Sequence, residues 1–420
     1  MHLLYIATNF GSLTNTFIAR EVSALRRRGH RVDLLALRRT NRSIAAEPEC
    51  DLSECRFVFP INWPVLVWLS LRYAVTRPRR WWRAVSVVVR APGDSWRTRL
   101  KLFGQLLVAT TAVPGVERLA PELIHAHLAN PPGSYALFIS LLSGIPFTFT
   151  AHAADLFRKP VGTVVKLREA AGVVAISMHN LRHYRDLYPE LQRAAVIHCG
   201  VRPAEFPYRR RQRSEGPLRL LAVGRAVAKK GFAVLLQAVA DLDPARYPWQ
   251  AHIVGDGPLL GQLRALQREL GLDRLEFTGP LQQAQIRDLL EQADIFCLPC
   301  VVAPDGDVDG IPVSLMEAMA AGCPVVSTRV SGIPELLADG RAGLLVPPDD
   351  AAALASALRR FGDEPELAAV LSARGRARIE QDFDLDREAA RLERFFAGVL
   401  AGRLPPDLIS RDTGYPISER

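Results

Sequence analysis

Residues 218–258, LRLLAVGRAVAKKGFAVLLQAVADLDPARYPWQAHIVGDGP, decide the fold of the second half of the chain. LRLLAVG is a short apolar run of the strand type, GFAVLLQAVADL carries apolar residues at helical spacing, and QAHIVG is a second strand. A strand, a helix and a strand in succession are typical of a crossover unit that joins two parallel strands. The stretch therefore predicts a parallel sheet with helices on its faces.

The same alternation continues on both sides of this stretch. Downstream, RLEFTG, ADIFCLPC, PVVSTRV and GLLVPP have the strand pattern, with helical segments between them. Upstream, LLYIAT, RVDLLAL, LIHAH and PFTFTAH alternate with helical segments, of which residues 63–113 are long and basic. We therefore expect an α/β protein with two Rossmann-like, doubly wound parallel-sheet domains that face a cleft, where open sheets of this kind bind ligands.

A break in the apolar periodicity marks the predicted domain boundary. The chain has 420 residues, more than one hydrophobic core usually serves. Residues 202–217, RPAEFPYRRRQRSEGP, are crowded with Pro, Gly and charge, and they are the predicted linker. We expect an N-terminal domain over 1–201, a C-terminal domain with terminal helices over 218–403, and a polar tail over 404–420.

Composition limits the partners and the compartment. A net charge of +9 indicates anionic partners, and no run of apolar residues is long enough to cross a membrane. Cys297 and Cys300 form a CxxC without a second pair at zinc spacing, so we predict two strand-end residues. MHLLYIATNF is a strand pattern rather than a signal peptide, and we expect a reducing cytoplasm.

Two segments of the second domain carry charged side chains beside the predicted start of a helix. The first is the turn after LRLLAVG, where Gly224 and Arg225 are followed by Lys229 and Lys230 and then by a helix. Arg225 and Lys230 can reach a diphosphate from one side, and the helix offers free amides. No GxGxxG follows the strand, so dinucleotide binding is not favoured.

The second segment runs from Asp309 to Glu317, DGIPVSLME, with a helix predicted to start near Pro312. Carboxylates at this spacing can accept hydrogen bonds from the hydroxyl pairs of a ribose or a hexose, and the amides at 313–315 can meet a phosphate. Asp305 and Asp307 precede the segment and are interpreted as loop acids rather than metal ligands.

These motifs together resemble the retaining glycosyltransferases of family 4, which have the GT-B fold. The resemblance rests on Gly-Arg, Lys-Lys-Gly-Phe and the two acids of DGIPVSLME, with the GDGP turn, the TG step at 278–279 and SGIPELLADGRAGLLVPPDD over 331–350. It covers nearly the whole chain. VDGIPVSLMEAMAAGCPVVSTRVSGIPEL and FTFTAHAADLF are most similar to bacterial exopolysaccharide and colanic-acid-type enzymes.

The resemblance implies a role for particular residues. Arg225 and Lys230 would hold the donor diphosphate, Glu317 the ribose, and Asp309, where the family usually has Glu, the transferred sugar. His152 would lie over the donor sugar, with Asp155 as a weaker candidate, and Gly11 stands alone where the family often has paired glycines. We predict catalytic roles for His152, Arg225, Lys230 and Asp309, and substrate binding by Gly11, Gly224, Gly310, Ile311, Val313, Ser314, Leu315 and Glu317.

The predicted reaction is transfer of a hexose from a nucleoside diphosphate sugar, with retention, to a saccharide that the resemblance suggests is linked to a polyprenyl lipid. We expect no cofactor, no metal and no nucleic acid partner. His125 and His127 form an HxH, which we interpret as strand-end packing or cleft lining because no third ligand stands at a telling spacing. A catalytically silent scaffold and a sugar-nucleotide epimerase remain as alternative functions.

A basic, tryptophan-rich segment from Trp63 to Arg90 indicates an anionic membrane surface as a further partner, at the inner face of the cytoplasmic membrane. The competing interpretation is that its tryptophans pack a helical pair against the N-terminal sheet. The residues concerned are Trp63, Trp68, Arg72, Arg77, Arg79, Arg80, Trp81, Trp82, Arg83 and Arg90.

Overall fold

The computed structural model describes residues 1–10, 16–39, 54–152, 156–157, 160–208 and 216–409. These residues form two compact units. The first consists of Met1–His198 with the segment that begins at Leu385, and the second consists of Cys199–Asp384.

The first unit is built on a parallel sheet of seven strands in its described part, in the order β3-β2-β1-β4-β5-β6-β7. The strands are β1 His2–Ala7, β2 Arg31–Ala36, β3 Arg56–Phe57, β4 Leu123–His127, β5 Phe147–Ala151, β6 Gly172–Ala175 and β7 Ala194–Val196. The helices are α1 Thr16–Arg27, α2 Trp63–Thr76, α3 Pro78–Val89, α4 Trp96–Leu119, α5 Pro132–Ser143, α6 Thr163–Glu169 and α7 Met178–Leu187.

Both faces of this sheet are covered by packed side chains. Successive residues of β1 enter different clusters, Leu4 and Ile6 on one face and Leu3 and Tyr5 on the other. Side chains alternate between the faces of a strand, so a strand buried on both faces reads as one continuous apolar run. This is why LLYIA gives the strand signal without alternating polarity.

The second unit has a parallel sheet of six strands within the part described, in the order β10-β9-β8-β11-β12-β13. The strands are β8 Leu218–Val223, β9 Trp249–Val254, β10 Leu275–Gly279, β11 Ile295–Leu298, β12 Val325–Thr328 and β13 Leu344–Val346. The helices are α8 Phe232–Ala240, α9 Leu260–Glu269, α10 Gln283–Gln292, α11 Val313–Ala320, α12 Ile333–Leu336, α13 Ala351–Asp363 and α14 Pro365–Asp382. The prediction of two doubly wound parallel-sheet domains is confirmed.

The chain end differs from the predicted domain bounds. Two helices, α15 Leu385–Leu400 and α16 Pro406–Ile409, belong to the first unit rather than to a C-terminal domain ending at 403. Phe395 and Phe396 are fully buried in the cluster that contains Tyr5. The buried side of α15 therefore packs in the same cluster as α1, on one face of this sheet.

Residues 404–409 are likewise not a polar tail, because Leu404 and Leu408 are buried in the same cluster as Tyr5. The N-terminal stretch of the first unit ends at His198, shortly before the predicted linker. Of that linker, residues 209–215 lie outside the described residues, while Pro203–Glu205 forms a short 3-10 turn.

Candidate functional site

The sheet of the second unit reverses its strand order between β8 and β11. In open parallel sheets, ligands bind at such a reversal, outside the carboxyl ends of the strands. The turn after β8 holds Arg225 and Lys230, the loop after β11 holds Asp309, and the helix that follows this loop, α11, holds Glu317. The fold therefore places both predicted segments at the same edge of the sheet.

The turn after β8 packs tightly against the GDGP turn at 255–258, which follows β9. A Cβ at Gly255, whose φ is +135°, would lie 2.0 Å from the carbonyl oxygen of Gly224, and one at Gly257 would lie 2.5 Å from that of Ala226. The Ala226 amide also donates to the carbonyl of Asp256 at 3.0 Å. This packing fixes the backbone at Arg225, whose side chain is exposed.

The Lys230 side chain passes close to Gly224, which has no Cβ in its way. A Cβ at Gly224 would lie 3.1 Å from Lys230 Cε, closer than an ordinary contact. Lys230 then reaches Asp309, with Nζ 2.6 Å from Oδ2. Lys229 Nζ lies 3.3 Å from the other oxygen, Oδ1, and 3.2 Å from Asp307. Two ammonium groups thus enclose the Asp309 carboxylate.

Electrostatics keep this cluster ionised although it is nearly buried. Burial raises the pKa of the Asp309 carboxyl, but the positive charges of Lys230 and Lys229 outweigh burial and hold the pKa below its usual value. Burial lowers the pKa of Lys230, and Asp309 more than restores it, so that pKa is raised. The cluster can therefore present fixed charge to a ligand throughout the neutral pH range.

Helix α11 begins at Val313, with Pro312 as its N-cap residue, as predicted. The Ser314 hydroxyl donates to the carbonyl of Val223 at 2.9 Å, which ties the helix start to the end of β8. The Leu315 amide donates to the Pro312 carbonyl at 3.1 Å, and the Leu315 side chain is fully buried. Of the three amides predicted to meet a phosphate, those of Val313 and Ser314 precede this first helical hydrogen bond and remain suited to an anion.

Glu317 lies one turn further along α11 and is buried. Its Oε1 accepts a hydrogen bond from Gln283 Nε2 at 3.0 Å, at the start of α10. Upstream of the helix, the carbonyl of Gly310 accepts from the Gly332 amide at 3.2 Å, and Ile311 is half-buried. Gln283 is a contact that the spacing of the two acids does not reveal.

In the first unit, His152 follows β5 directly. Its Nε2 lies 3.3 Å from Nδ1 of His127, at the end of β4, and His127 Nε2 lies 2.8 Å from Glu21 Oε1 on α1. Burial lowers the pKa of His152 to about 3, with a further contribution from His127. His152 is therefore a neutral imidazole at physiological pH.

The other histidine of the HxH, His125, is part of the strand packing. Its Nδ1 lies 2.8 Å from the Thr148 hydroxyl and its Nε2 lies 3.2 Å from that of Thr150. Burial holds the pKa of His125 well below its usual value. Ligand atoms of Glu21, His125 and His127 lie within 4.8 Å of one another, so the structure supplies a third group that sequence spacing did not.

Three further predictions concern single residues. Gly11 and Asp155 lie outside the described residues. Cys297 lies in β11 and Cys300 follows it, both buried and free of disulfides, as strand-end residues would be. The Cys300 thiol donates to Asp309 Oδ2 at 3.5 Å.

The basic segment of the first unit forms α2 and α3, and its residues divide between core and surface. Trp81 is 8% exposed and packs in the core, whereas Trp63, Trp68 and Trp82 are 66%, 59% and 64% exposed. Trp81 therefore bears out the competing interpretation, and the other three do not. Val67, Trp68, Leu71 and Val75 share one face of α2 at helical spacing, and we call them with Trp63 the apolar stripe.

The arginines divide in the same way. Arg77 pairs with Glu117 and Arg80 donates to the carbonyls of Leu142 and Ser143, so both are used inside the unit. Arg72 and Arg79 are exposed. Among the described residues, no helix combines the length and the apolar character needed to cross a membrane.

Two family models match the chain. The model described as Glycosyltransferase Family 4 matches residues 14–205, and the model described as Glycosyl transferases group 1 matches residues 217–363. The chain is 41% identical over 289 residues to the putative colanic acid biosynthesis glycosyltransferase WcaL of Escherichia coli, which covers 58% of this chain and 71% of that protein. It is 39% identical over 207 residues to WcaL of Salmonella typhimurium, covering 48% of this chain and about half (51%) of that protein.

Solved structures agree with the fold. The crystal structure of Anabaena Alr3699/HepE in complex with UDP matches with a TM-score of 0.68 at 17% identity, over 95% of this chain and all of that one. A further crystal structure of that protein holds UDP-glucose. The match extends over both units, so it supports the GT-B class for the whole described chain.

Proposed function

The chain belongs to glycosyltransferase family 4, and on that premise we propose that it transfers a hexose from a nucleoside diphosphate sugar to a saccharide acceptor in exopolysaccharide synthesis. The observation that carries the proposal is the meeting of Arg225, Lys230, Asp309 and the start of α11 at the strand reversal of the second unit. The colanic acid relatives support the class of product, and the UDP complexes of a protein with the same fold support the class of donor.

The donor diphosphate is held by fixed positive charge. Arg225 is exposed on a rigid turn, Lys230 lies beside it, and the amides of Val313 and Ser314 start a helix whose dipole favours an anion. As the bond to the sugar breaks, negative charge grows on the diphosphate, and these groups stabilise it where it forms. We propose that they replace a metal ion in this role.

The two carboxylates bind hydroxyl groups. Glu317 accepts hydrogen bonds from the donor ribose in exchange for its contact with Gln283. Asp309, held ionised by Lys230 and Lys229, accepts from hydroxyls of the transferred sugar. His152 in the first unit, a neutral imidazole, is proposed as a hydrogen-bonding partner for a sugar hydroxyl.

The proposed reaction retains the configuration of the donor by a front-face displacement. The acceptor hydroxyl oxygen bonds to the anomeric carbon on the face from which the diphosphate leaves. The carbon–oxygen bond to the diphosphate breaks, its electron pair goes to the phosphate oxygen, and the diphosphate takes the hydroxyl proton. No protein nucleophile is required, and Asp309 is occupied by two ammonium groups.

The acceptor is proposed to be a polyprenyl-linked saccharide at the cytoplasmic face of a membrane. The apolar stripe of α2 carries three valine and leucine side chains that are 54% to 79% exposed, beside two exposed tryptophans. Exposed patches of this kind mark interaction surfaces, and tryptophan with arginine suits an anionic lipid surface. This surface is proposed to bring the first unit to the acceptor.

A donor screen tests the proposal against its alternatives. The protein is incubated with labelled UDP- and GDP-hexoses and a lipid-linked saccharide, and the products are separated. Transfer with release of nucleoside diphosphate is the expected result. An isomerised sugar nucleotide without transfer would indicate an epimerase, and binding without turnover of any donor would indicate a silent scaffold.

A further inference from the structure

Two lysines and two aspartates of the second unit form one group of charges in contact. Lys230 Nζ lies 2.6 Å from Oδ2 of Asp309. Lys229 Nζ lies 3.3 Å from Oδ1 of the same carboxylate and 3.2 Å from Asp307 Oδ1. The four side chains are only 13% to 19% exposed, and their two positive charges balance their two negative charges. We call these four residues the ion cluster.

The two lysines differ in the number of oxygens that hold them. Besides the two carboxylates, the Lys229 ammonium donates to the carbonyl of Val308 at 3.5 Å. All three of its oxygen partners therefore belong to residues 307–309 of the loop after β11. Among the residues described, the Lys230 ammonium contacts one carboxylate, that of Asp309. Lys230 can therefore leave the ion cluster by giving up one contact, whereas Lys229 would have to give up three.

The backbone on both sides of the Lys229–Asp307 pair is fixed. Gly231 ends the turn that carries the lysines with φ +65°, and a Cβ there would lie 1.8 Å from the carbonyl oxygen of Pro299. The lysine turn therefore packs directly on the chain that leaves β11. On the other side, the carbonyl of Asp307 accepts from the Ala303 amide at 2.9 Å. Neither member of the pair can shift without breaking these backbone contacts.

We propose that the two lysines have different roles when the donor binds: Lys230 leaves Asp309 Oδ2 for the diphosphate, and Lys229 stays on Oδ1 and holds the carboxylate for the transferred sugar. Asp307 is the positioning residue for Lys229. The oxygen that Lys230 leaves is then open to a hydrogen bond from a sugar hydroxyl, since a carboxylate only accepts. The inference rests on the proposed function for the identity of the ligand.

Burial of Asp309 is the reason that one lysine has to stay. A buried carboxylate that loses its last cation is strongly disfavoured and takes up a proton instead. If both lysines turned to the diphosphate, Asp309 would be left in that state and would lose the charge with which it binds a hydroxyl. With Lys229 retained, the diphosphate and the sugar are coupled, because the diphosphate draws Lys230 away from the oxygen that the sugar needs.

The hold of Lys229 on Asp309 can be measured without a donor. The full-length protein is labelled with ¹³C at its aspartate carboxyl groups, and the Asp309 signal is assigned by its loss in Asp309→Asn. Lys229→Met should raise the pKa of Asp309, because one of the two cations beside the carboxylate is removed. An unchanged pKa of Asp309 in Lys229→Met would overturn the proposal.

Nucleotide binding separates the roles of the two lysines. Calorimetry with UDP and UDP-glucose, and with GDP and GDP-mannose, gives the ratio of the sugar-nucleotide Kd to the nucleotide Kd. Lys230→Met should weaken binding of the nucleotide itself by at least about 10-fold, since a charge-assisted contact with the diphosphate is lost. Lys229→Met should leave the nucleotide Kd nearly unchanged and raise the ratio about 10-fold, because the sugar loses a charged acceptor. Equal weakening of UDP or GDP binding by the two variants would overturn the proposal.

Asp307→Asn keeps Lys229 and tests its positioning, and it also carries the comparison if Lys229→Met does not fold. It should raise the ratio of the two Kd values in the same direction as Lys229→Met, by a smaller factor, with the nucleotide Kd nearly unchanged. An unchanged ratio in Asp307→Asn would remove Asp307 from this role, and an unchanged ratio in both variants would overturn the proposal.

Asp294→Asn is the matched control, because the Arg219–Asp294 ion pair lies at the amino ends of the same two strands, β8 and β11. It should lower the unfolding temperature and leave the ratio of the two Kd values unchanged. A ratio raised as much as in Lys229→Met would attribute the effect to the loss of any ion pair and overturn the proposal. Failure of the wild type to bind any of the four nucleotides would contradict the proposed function, whereas the pKa of Asp309 would still decide whether Lys229 holds it.

Discussion

In the second unit the candidate site is made of opposite charges in contact, whereas in the first unit it is made of buried histidines that contact one another and Glu21. Asp309 lies between two lysines, and its pKa is lowered by them. His152 lies against His127, and its pKa is lowered by burial. The difference matches the partners proposed for each unit, since the second unit binds the charged diphosphate as well as hydroxyl groups, whereas the first unit binds uncharged hydroxyl groups.

The largest expected effect comes from breaking the charged site. Arg225→Ala combined with Lys230→Ala should reduce kcat/KM by at least about 10²- to 10³-fold, since the diphosphate loses its fixed positive charge. Arg246→Ala is the matched control, because this exposed arginine precedes β9 and so lies at the opposite edge of the sheet. Near-normal turnover of the double variant would place the diphosphate elsewhere.

Arg225 and Lys230 should differ in their effect on the stability of the fold. Arg225 is exposed, so Arg225→Ala alone should leave the unfolding temperature unchanged. Lys230→Ala leaves the buried Asp309 with Lys229 only, and it should cost about 3 kcal/mol of unfolding free energy. Thermal unfolding of the two single variants measures this difference.

Removing Glu317 tests the part of the same site that is proposed to bind hydroxyl groups. Glu317→Ala should weaken donor binding by about 1.5–3 kcal/mol, because the ribose hydroxyls lose a charged acceptor in a buried position. Gln283→Ala keeps the carboxylate and should leave the donor Kd nearly unchanged. Equal donor affinity of Glu317→Ala and the wild type in titration calorimetry would exclude Glu317 from the site.

Acid should distinguish the two units. The folded protein keeps His125 and His152 neutral below about pH 6.5, whereas the same histidines of the unfolded chain take up protons there. The free energy of unfolding therefore decreases as the pH is lowered, by on the order of 1.4 kcal/mol per pH unit for each histidine. The Asp309 carboxyl has a lowered pKa, so its contribution is present above the ordinary value near pH ~4 and is lost only below it. Between pH 7 and 5, the slope of the unfolding free energy against pH should therefore be smaller for His152→Asn than for the wild type. The slope for Asp309→Asn should equal that of the wild type. An identical slope in all three proteins would refute the difference.

The sequence indicates which of these residues lie together in the second unit, but not which lie together in the first. Arg225, Lys230, Asp309 and Glu317 lie in two short segments, and parallel strands bring such segments to one edge of the sheet. Glu21 and His127 are 106 residues apart, and only the packing of α1 on β4 joins them. Nothing in the spacing of the HxH indicates that partner.

Burial within one helix was also beyond the sequence pattern. Trp81 and Trp82 are adjacent, yet one packs in the core and the other is 64% exposed, because successive helical residues point about 100° apart. The membership of α15 in the first unit could not be predicted for a different reason, the distance along the chain. Its partner α1 lies more than 350 residues earlier in the chain, as the Arg27–Asp386 contact illustrates with a separation of 359.

The smallest expected effect concerns the surface of the first unit. Liposome flotation should show binding to anionic vesicles that falls with salt. Arg72→Gln with Arg79→Gln should weaken it by about 1 kcal/mol per arginine, and Trp68→Ser with Leu71→Ser should weaken it without changing its salt dependence. Arg77 and Arg80 are unsuitable for this test because their hydrogen bonds lie within the unit. No binding to anionic vesicles at low salt would contradict the membrane proposal.

The proposed role of the second unit requires that protein cations, rather than a metal ion, neutralise the donor diphosphate. The direct test is the transfer reaction run in excess EDTA, with the anomeric configuration of the product read by NMR. We predict the same rate as without chelator and a product with the configuration of the donor. Loss of transfer that Mg²⁺ or Mn²⁺ restores would contradict metal-free catalysis by Arg225 and Lys230, and an inverted product would contradict the front-face reaction.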